Sequence, residues 1–236
     1  MSHILYPASE RGFADHGWLK AAHTFSFASW YNPQKVHFGV LRVLNDDIVS
    51  AGMGFGMHPH DNMEIITIPF SGTLAHKDSM GNSGTISYGE IQVMSAGSGI
   101  THSEFNHSRT EAVSLFQIWL FPNQQNVTPR YDQISYDTEA MNDDWLQIVS
   151  PSPEDAGSWI HQQAWFHLGR FKAGSTVPYT CKAPNNGMFL MVIEGSIKTH
   201  DSTLGRRDAI GIRDESNLEI EVLEDSFLLL MDLPMA

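Results

Sequence analysis

Five residues in one stretch of the chain have the types and spacing of a metal-ligating set. His58 and His60 stand two apart, Glu64 follows, and His102 and Glu104 stand two apart some forty residues on. Imidazole and carboxylate donors suit iron, manganese, cobalt, nickel, copper or zinc, and ligand type alone does not choose among them. Four protein ligands around a six-coordinate ion leave two positions open to other ligands. A closed structural zinc site would be richer in cysteine. This chain has only Cys181.

Strands are the elements that would position these groups. Residues two apart on a strand share a face, so His58 and His60 aim together, as do His102 and Glu104. If the two strands are neighbours in a barrel, four ligand atoms converge inside it, and Glu64, with the parity of His60, could face inward as well. The pairs alone carry little weight: with 12 histidines in 236 residues a His-x-His arises by chance about 0.6 times. The framing is more specific. Glycines at 52, 54, 56, 97 and 99 bracket both groups and permit tight turns and close approach.

The remainder of the chain reads as all-β. Short runs rich in β-branched and aromatic residues alternate with Gly, Asn and Asp, among them Met63–Phe70, Thr73–His76, Ile91–Met94, Val113–Phe121, Leu218–Leu223 and Phe227–Met231. Val40–Val49 reads as a hairpin turning at Asn45-Asp46-Asp47. No segment keeps a helical period, so helices should be few and short. Residues 1–35 are aromatic without clear period, and Pro122 to about Glu154 reads as a crossing segment. The second half echoes the first: GTLAHKDS at Gly72–Ser79 is answered by GSIKTHDS at Gly195–Ser202, each after an apolar strand. Thr180 and Lys182 then fall roughly where His58 and His60 stood, and nine of the twelve histidines lie at or before residue 107. The fold is expected to be duplicated and the ligand set not. The expected division is 1–130 for a metal-binding half and 131–236 for a degenerate, metal-free one.

Composition narrows the partners. With 14 Lys+Arg against 27 Asp+Glu, the net charge of −13 disfavours nucleic acid and anionic membrane surfaces. Seven carboxylates from Asp214 onward, with no Lys or Arg, fit a solvated strand face. A single cysteine allows no intrachain disulfide, no apolar run reaches eighteen residues, and the N-terminus lacks a signal-peptide pattern. A soluble, cytoplasmic monomer is the expectation.

The blocks at Gly54–Ile65 (GFGMHPHDNMEI) and Gln92–Asn106 (QVMSAGSGITHSEFN) resemble the two cupin motifs, with Ser95 where a proline is usual. Together with His16–Ala28 (HGWLKAAHTFSFA) and His76–Asn82 (HKDSMGN), they make the whole chain similar to the pirin-like bicupins, among which are quercetin 2,3-dioxygenases. The resemblance implies two antiparallel jelly-roll barrels packed together, one divalent metal, iron(II) by preference, and the ligands His58, His60, His102 and Glu104. Glu64 occupies the place where many cupins take their carboxylate. It lies four residues, roughly 13 Å of extended strand, beyond His60, which favours Glu104 as ligand and leaves Glu64 to orient a histidine.

The implied activity is oxidative cleavage of a flavonol-like aromatic substrate by dioxygen, with Glu104 or Glu64 accepting the substrate's hydroxyl proton. Phe55, Phe105, Phe116 and Trp119 are the aromatic candidates near such a ligand. A different class of function is a metal-binding regulatory protein acting through a protein partner. A sugar-phosphate isomerase is disfavoured, because Lys77 is the one Lys or Arg within 52–106 to hold a phosphate.

Overall fold

Some strands alternate buried and more exposed side chains, as do 100–106 and 176–180, while others such as 64–69, 186–193 and 226–233 are buried on both faces. A computed structural model describes residues 3–235. The first part of the chain forms β1 (His3–Tyr6), β2 (Gly12–Asp15), β3 (Leu19–His23), β4 (Leu41–Val49), β5 (Gly54–His60) and β6 (Glu64–Ser71). There follow β7 (Thr73–Asp78), β8 (Ser83–Ser87), β9 (Glu90–Ser95), β10 (Ile100–Asn106), β11 (Val113–Leu120) and β12 (Arg130–Ser135). The rest is β13 (Trp145–Ser150), β14 (Ser158–Trp159), β15 (Trp165–Phe171), β16 (Thr176–Thr180), β17 (Asn186–Thr199), β18 (Ser202–Leu204), β19 (Ala209–Ile212) and β20 (Asn217–Pro234). Two single-turn 3-10 helices, Ala8–Glu10 and Thr138–Met141, are the helical elements among the described residues.

The fold is all-β and of the bicupin class, but its sheets are open rather than closed barrels. In the first half a seven-stranded sheet, ordered β12-β9-β6-β11-β4-β3-β2, faces a four-stranded one, β5-β10-β7-β8. The second half is one nine-stranded sheet along β1-β19-β17-β20-β15-β13-β14, with β16 added on β20 and β18 on β17. Register shifts in the long β17–β20 pair let that sheet bend round its own apolar cluster. On β20 the acidic run behaves as a solvated face: Glu219 and Glu221 point out while Leu218, Ile220 and Val222 are buried.

The expected boundary at 130/131 falls within β12, which pairs along its whole length with β9 of the first half, while β1 pairs with β19 of the second. The halves therefore exchange terminal strands. The hairpin expected at Asn45-Asp46-Asp47 does not form. These residues lie in mid-strand, with β4 paired to β3 on one side and β11 on the other, and two complete ladders override turn propensity.

The seven-stranded sheet serves both sides. Ile66, Ile68, Phe116, Ile118 and Leu120 pack outward against Phe166, Phe189, Met191 and Leu229 of the second half. The alternate residues point into the first half. Between the two cores Asp46 lies 3.2 Å from Nε of Arg207 and 3.6 Å from Nη1 of Arg11, and Arg11 also donates to the Arg207 carbonyl. Both guanidinium groups are nearly enclosed, and Asp46 is the carboxylate that pairs with both, with Asp208 and Glu194 adding negative charge nearby. Removing it by Asp46→Ala is expected to destabilise the protein by about 3 kcal/mol in urea unfolding, the scale for leaving buried charge without its partner.

Candidate metal centre

The pairing of β5 with β10 sets the centre. His58 stands directly opposite His102, and a register shift follows before Glu104 pairs with Phe55. Gly54, opposite Phe105, admits this approach, because a Cβ there would collide with the Glu104 carbonyl. On its other edge β10 pairs with β7, which puts His76 opposite Glu104 and Asp78 opposite His102.

The ligand-type atoms of His58, His60 and His102 lie within 4.8 Å of one another. Nε2 of His60 stands 3.0 Å from Nε2 of His102. Two nitrogens each about 2.1 Å from one ion, at a right angle, would be about 3.0 Å apart, so this spacing fits a shared metal. Nδ1 of His58 donates to the Gly56 carbonyl at 2.8 Å, which leaves its Nε2 as the electron-pair donor. Burial, then the neighbouring imidazoles, holds His60 down to about 4 and His102 down to about 3. Both rings are therefore neutral at physiological pH, the form that binds metal.

Glu104 is buried beside them and held at both oxygens. Gln92 donates to Oε1 at 3.0 Å and Gln117 to Oε2 at 2.9 Å, with the Thr67 hydroxyl at 3.4 Å from Oε1. Burial raises its pKa despite these bonds and the nearby histidines. With His102 it forms a second, overlapping group of ligand-type atoms within 4.8 Å, whose third member is His76.

His76 was not assigned a role from sequence, although its two-residue spacing from Asp78 on a strand was available as a signal. Its Nε2 lies 3.3 Å from Asp78, its ring stacks on Tyr131, and its Nδ1 is buried without a partner. Asp78 is in turn held by Asn82 and the Met80 amide.

Glu64 does not join the cluster. Its neighbours on β6 alternate, Thr67 facing Glu104 while Ile66 and Ile68 face the second half, and Glu64 has the parity of the latter. It takes the Ser95 hydroxyl at 2.7 Å, and burial raises it to about 7, partly offset by Ser95, the His161 backbone and Arg130. The same-face argument from His60 fails because the chain turns between β5 and β6 through Asn62, at φ 44, into a different sheet. Glu64, expected to orient a ligand histidine or take a substrate proton, stands outside both ligand groups and the cavity lining.

A cavity of about 250 Å³ opens on His58 and Glu104. Its apolar walls are Leu19, Ala21, Phe27, Phe55 and Trp119, and its other polar lining is His23, Asn45, Asp47 and Gln117. Of the four aromatic candidates, Phe55 and Trp119 line it, Phe105 is exposed, and Phe116 lies in the core between the halves. Asn45 and Asp47, read from sequence as a turn, face this cavity because they alternate with Asp46 along β4. In the second half Thr180 bonds Asn217, and Lys182 reaches Gln147 and Asp232. Among the described residues both ligand groups lie in the first half.

Two cupin halves with the candidate ligands gathered in the first define a bicupin. Residues 7–120 match the family model described as Pirin, and 132–233 match the quercetinase C-terminal cupin domain. The chain belongs to the pirin family. It is 41% identical over 230 residues, 98% of each chain, to a protein of Escherichia coli described as quercetin 2,3-dioxygenase. A Pirin-like protein of Caulobacter vibrioides is 39% identical, covering 96% of this chain and 97% of that one. The crystal structure of YhhW from Escherichia coli superposes with a TM-score of 0.94 at 39% identity, covering 99% of this chain and 98% of that one. The bacterial pirin YhhW in complex with nickel(II) gives 0.93 at 38% identity, covering 99% and 100%.

Asp47 yields a pH prediction for the metal-free protein. Burial, then Asp46 and Glu104, pushes its carboxyl up from the ordinary 3.8 to about 8. Between those values the unfolded chain has released a proton that the folded one keeps, so this group makes stability fall as pH rises. Asp47→Asn removes that slope. Its stability relative to wild type is expected to rise by about 1 kcal/mol per unit from pH 5 to pH 7, measured by urea unfolding after chelation.

Proposed function

We propose that this chain is a metal-dependent dioxygenase that opens a ring of a flavonol-like substrate, with His58, His60, His102 and Glu104 holding one divalent metal and iron(II) as the working ion. The observation that carries the reading is the junction of two environments. A mainly apolar cavity bearing two aromatic side chains ends on the histidine–carboxylate cluster. Its volume is below the roughly 300–1,000 Å³ usual for drug-sized ligands, so a planar ligand would fill it with one end against the cluster. The flavonol class is taken from the names of the relatives, and the cavity's shape and lining are compatible with it.

When bound, a metal would supply a Lewis-acidic point for a deprotonated hydroxyl and its neighbouring carbonyl, together with redox contact to dioxygen. The protein's own groups do the rest. Phe55 and Trp119 flank a planar ring, and Leu19, Ala21 and Phe27 keep water from it. Glu104 takes the hydroxyl proton from the substrate oxygen onto a carboxylate oxygen. Gln92 and Gln117 fix that carboxylate, and Gly56 fixes the His58 tautomer.

The test is oxygen uptake with quercetin under air, using protein loaded separately with iron(II), nickel(II) and manganese(II). Metal-dependent uptake is expected, falling to background in His58→Ala. No uptake with any metal, in protein holding one metal per chain, would overturn the oxygenase reading and favour a metal-binding protein that acts through a partner.

A further inference from the structure

The cavity has two unlike walls. The four-stranded sheet contributes the cluster, through His58 on β5 and Glu104 on β10. The facing wall, from β3 and β4 of the seven-stranded sheet, carries Leu19, Ala21, His23, Asn45 and Asp47. Two of its polar groups have capacity unused by the protein. Oδ1 of Asp47 is buried with no hydrogen-bond partner, although Asp47 is only 4% exposed. Nδ1 of His23 lies 2.9 Å from Oδ1 of Asn45. An amide oxygen can only accept, so Nδ1 carries the proton and Nε2 is left as an acceptor. Gln117, by contrast, is already engaged with Glu104 and Thr67.

An enclosed acceptor without a donor costs roughly 1–3 kcal/mol, and protein interiors seldom leave one so. A ligand hydroxyl, which both donates and accepts, would complete Asp47 whether or not the carboxyl carries its proton. We propose that the β3–β4 wall, through Asp47 and His23, binds a hydroxyl of the aromatic ligand other than its metal-binding pair. The wall thereby selects polyhydroxylated flavonols over those carrying the metal-binding pair alone. Phe27, whose ring lies 5.2 Å from that of His23, and Trp119 frame the slot between the two walls. A site built to hydrogen-bond a ligand hydroxyl discriminates strongly against the analogue that lacks it, because the wall's own groups are then left buried and unpaired. This assignment rests on the ring-cleavage reading for the ligand class, and not on the identity of the metal.

Binding without turnover tests it. Protein holding one nickel(II) per chain, kept under argon, is titrated with quercetin and with 3-hydroxyflavone, following the flavonol absorption band. Both compounds carry the same hydroxyl–carbonyl pair. Wild type is expected to prefer quercetin by about tenfold or more. Asp47→Leu is expected to bring the ratio of the two Kd values to within about threefold, whereas Asp47→Asn, which keeps an oxygen acceptor, retains the preference. If Asp47→Leu does not fold, judged by near-ultraviolet circular dichroism, His23→Leu is read in the same way with the same expected loss. Equal affinities in wild type, or a preference that survives in the folded leucine variant, would overturn the assignment and leave the ring-cleavage reading standing. If neither flavonol binds nickel-loaded wild type, the ring-cleavage reading falls and takes this assignment with it.

Discussion

A carboxylate enclosed beside three imidazoles is the constraint around which the first half is built. Glu104 is 3% exposed and His102 1% exposed. Burying such a charge costs several kcal/mol unless it is paired, and burial holds His60 and His102 in the neutral form. Gln92, Gln117 and Thr67 supply hydrogen bonds but no positive charge. A divalent cation among the histidines would offset the remaining cost, so metal binding and the stability of this interior are linked. Apolar layers on either side of the polar one, Leu74, Ile86, Val113 and Leu115 below and Ile65, Met94 and Ile100 above, make the burial tolerable.

The same strands that present this interior also join the two halves. Along the middle of β4 and β11, residues that face the cavity (Asn45, Asp47, Gln117, Trp119) alternate with residues that face the interface (Leu44, Asp46, Phe116, Ile118). Asp46 and Asp47 show the division: one offsets two arginines between the halves, the other lines the ligand cavity. Glu64 and Thr67, three apart on β6, fall on opposite faces for the same reason. The second half keeps the architecture and fills its interior with apolar side chains and a network on Asp232, which accepts from Tyr179, Asn186 and the Lys182 amide. There the strands serve as a rigid partner for the first half.

Legibility in the sequence followed the range of the interactions. The strand character, the adjacency implied for the strands bearing His58 and His102, and the duplication with one set of candidate ligands were readable, because each rests on local parity or internal similarity. What escaped depended on pairing across the chain. Asn45-Asp46-Asp47 carries turn residues, yet both neighbouring ladders hold it extended. Glu64 shares the parity of His60 only if the strand continues, and Asn62 breaks it. His76 came into view only when β7 was paired to β10. The exchange of β1 and β12 between the halves has no local signature at all. Neither does closure: short strands of regular spacing fit closed barrels and open facing sheets equally well.

The central claim is one metal per chain, held by Nε2 of His58, His60 and His102 and by the Glu104 carboxylate. Anomalous X-ray scattering from crystals of nickel(II)-loaded protein tests it most directly. The account predicts one strong peak per chain within bonding distance of those four groups. A peak held by His76 without His58 and His60, a site in the second half, or no peak in protein shown to bind nickel would contradict it.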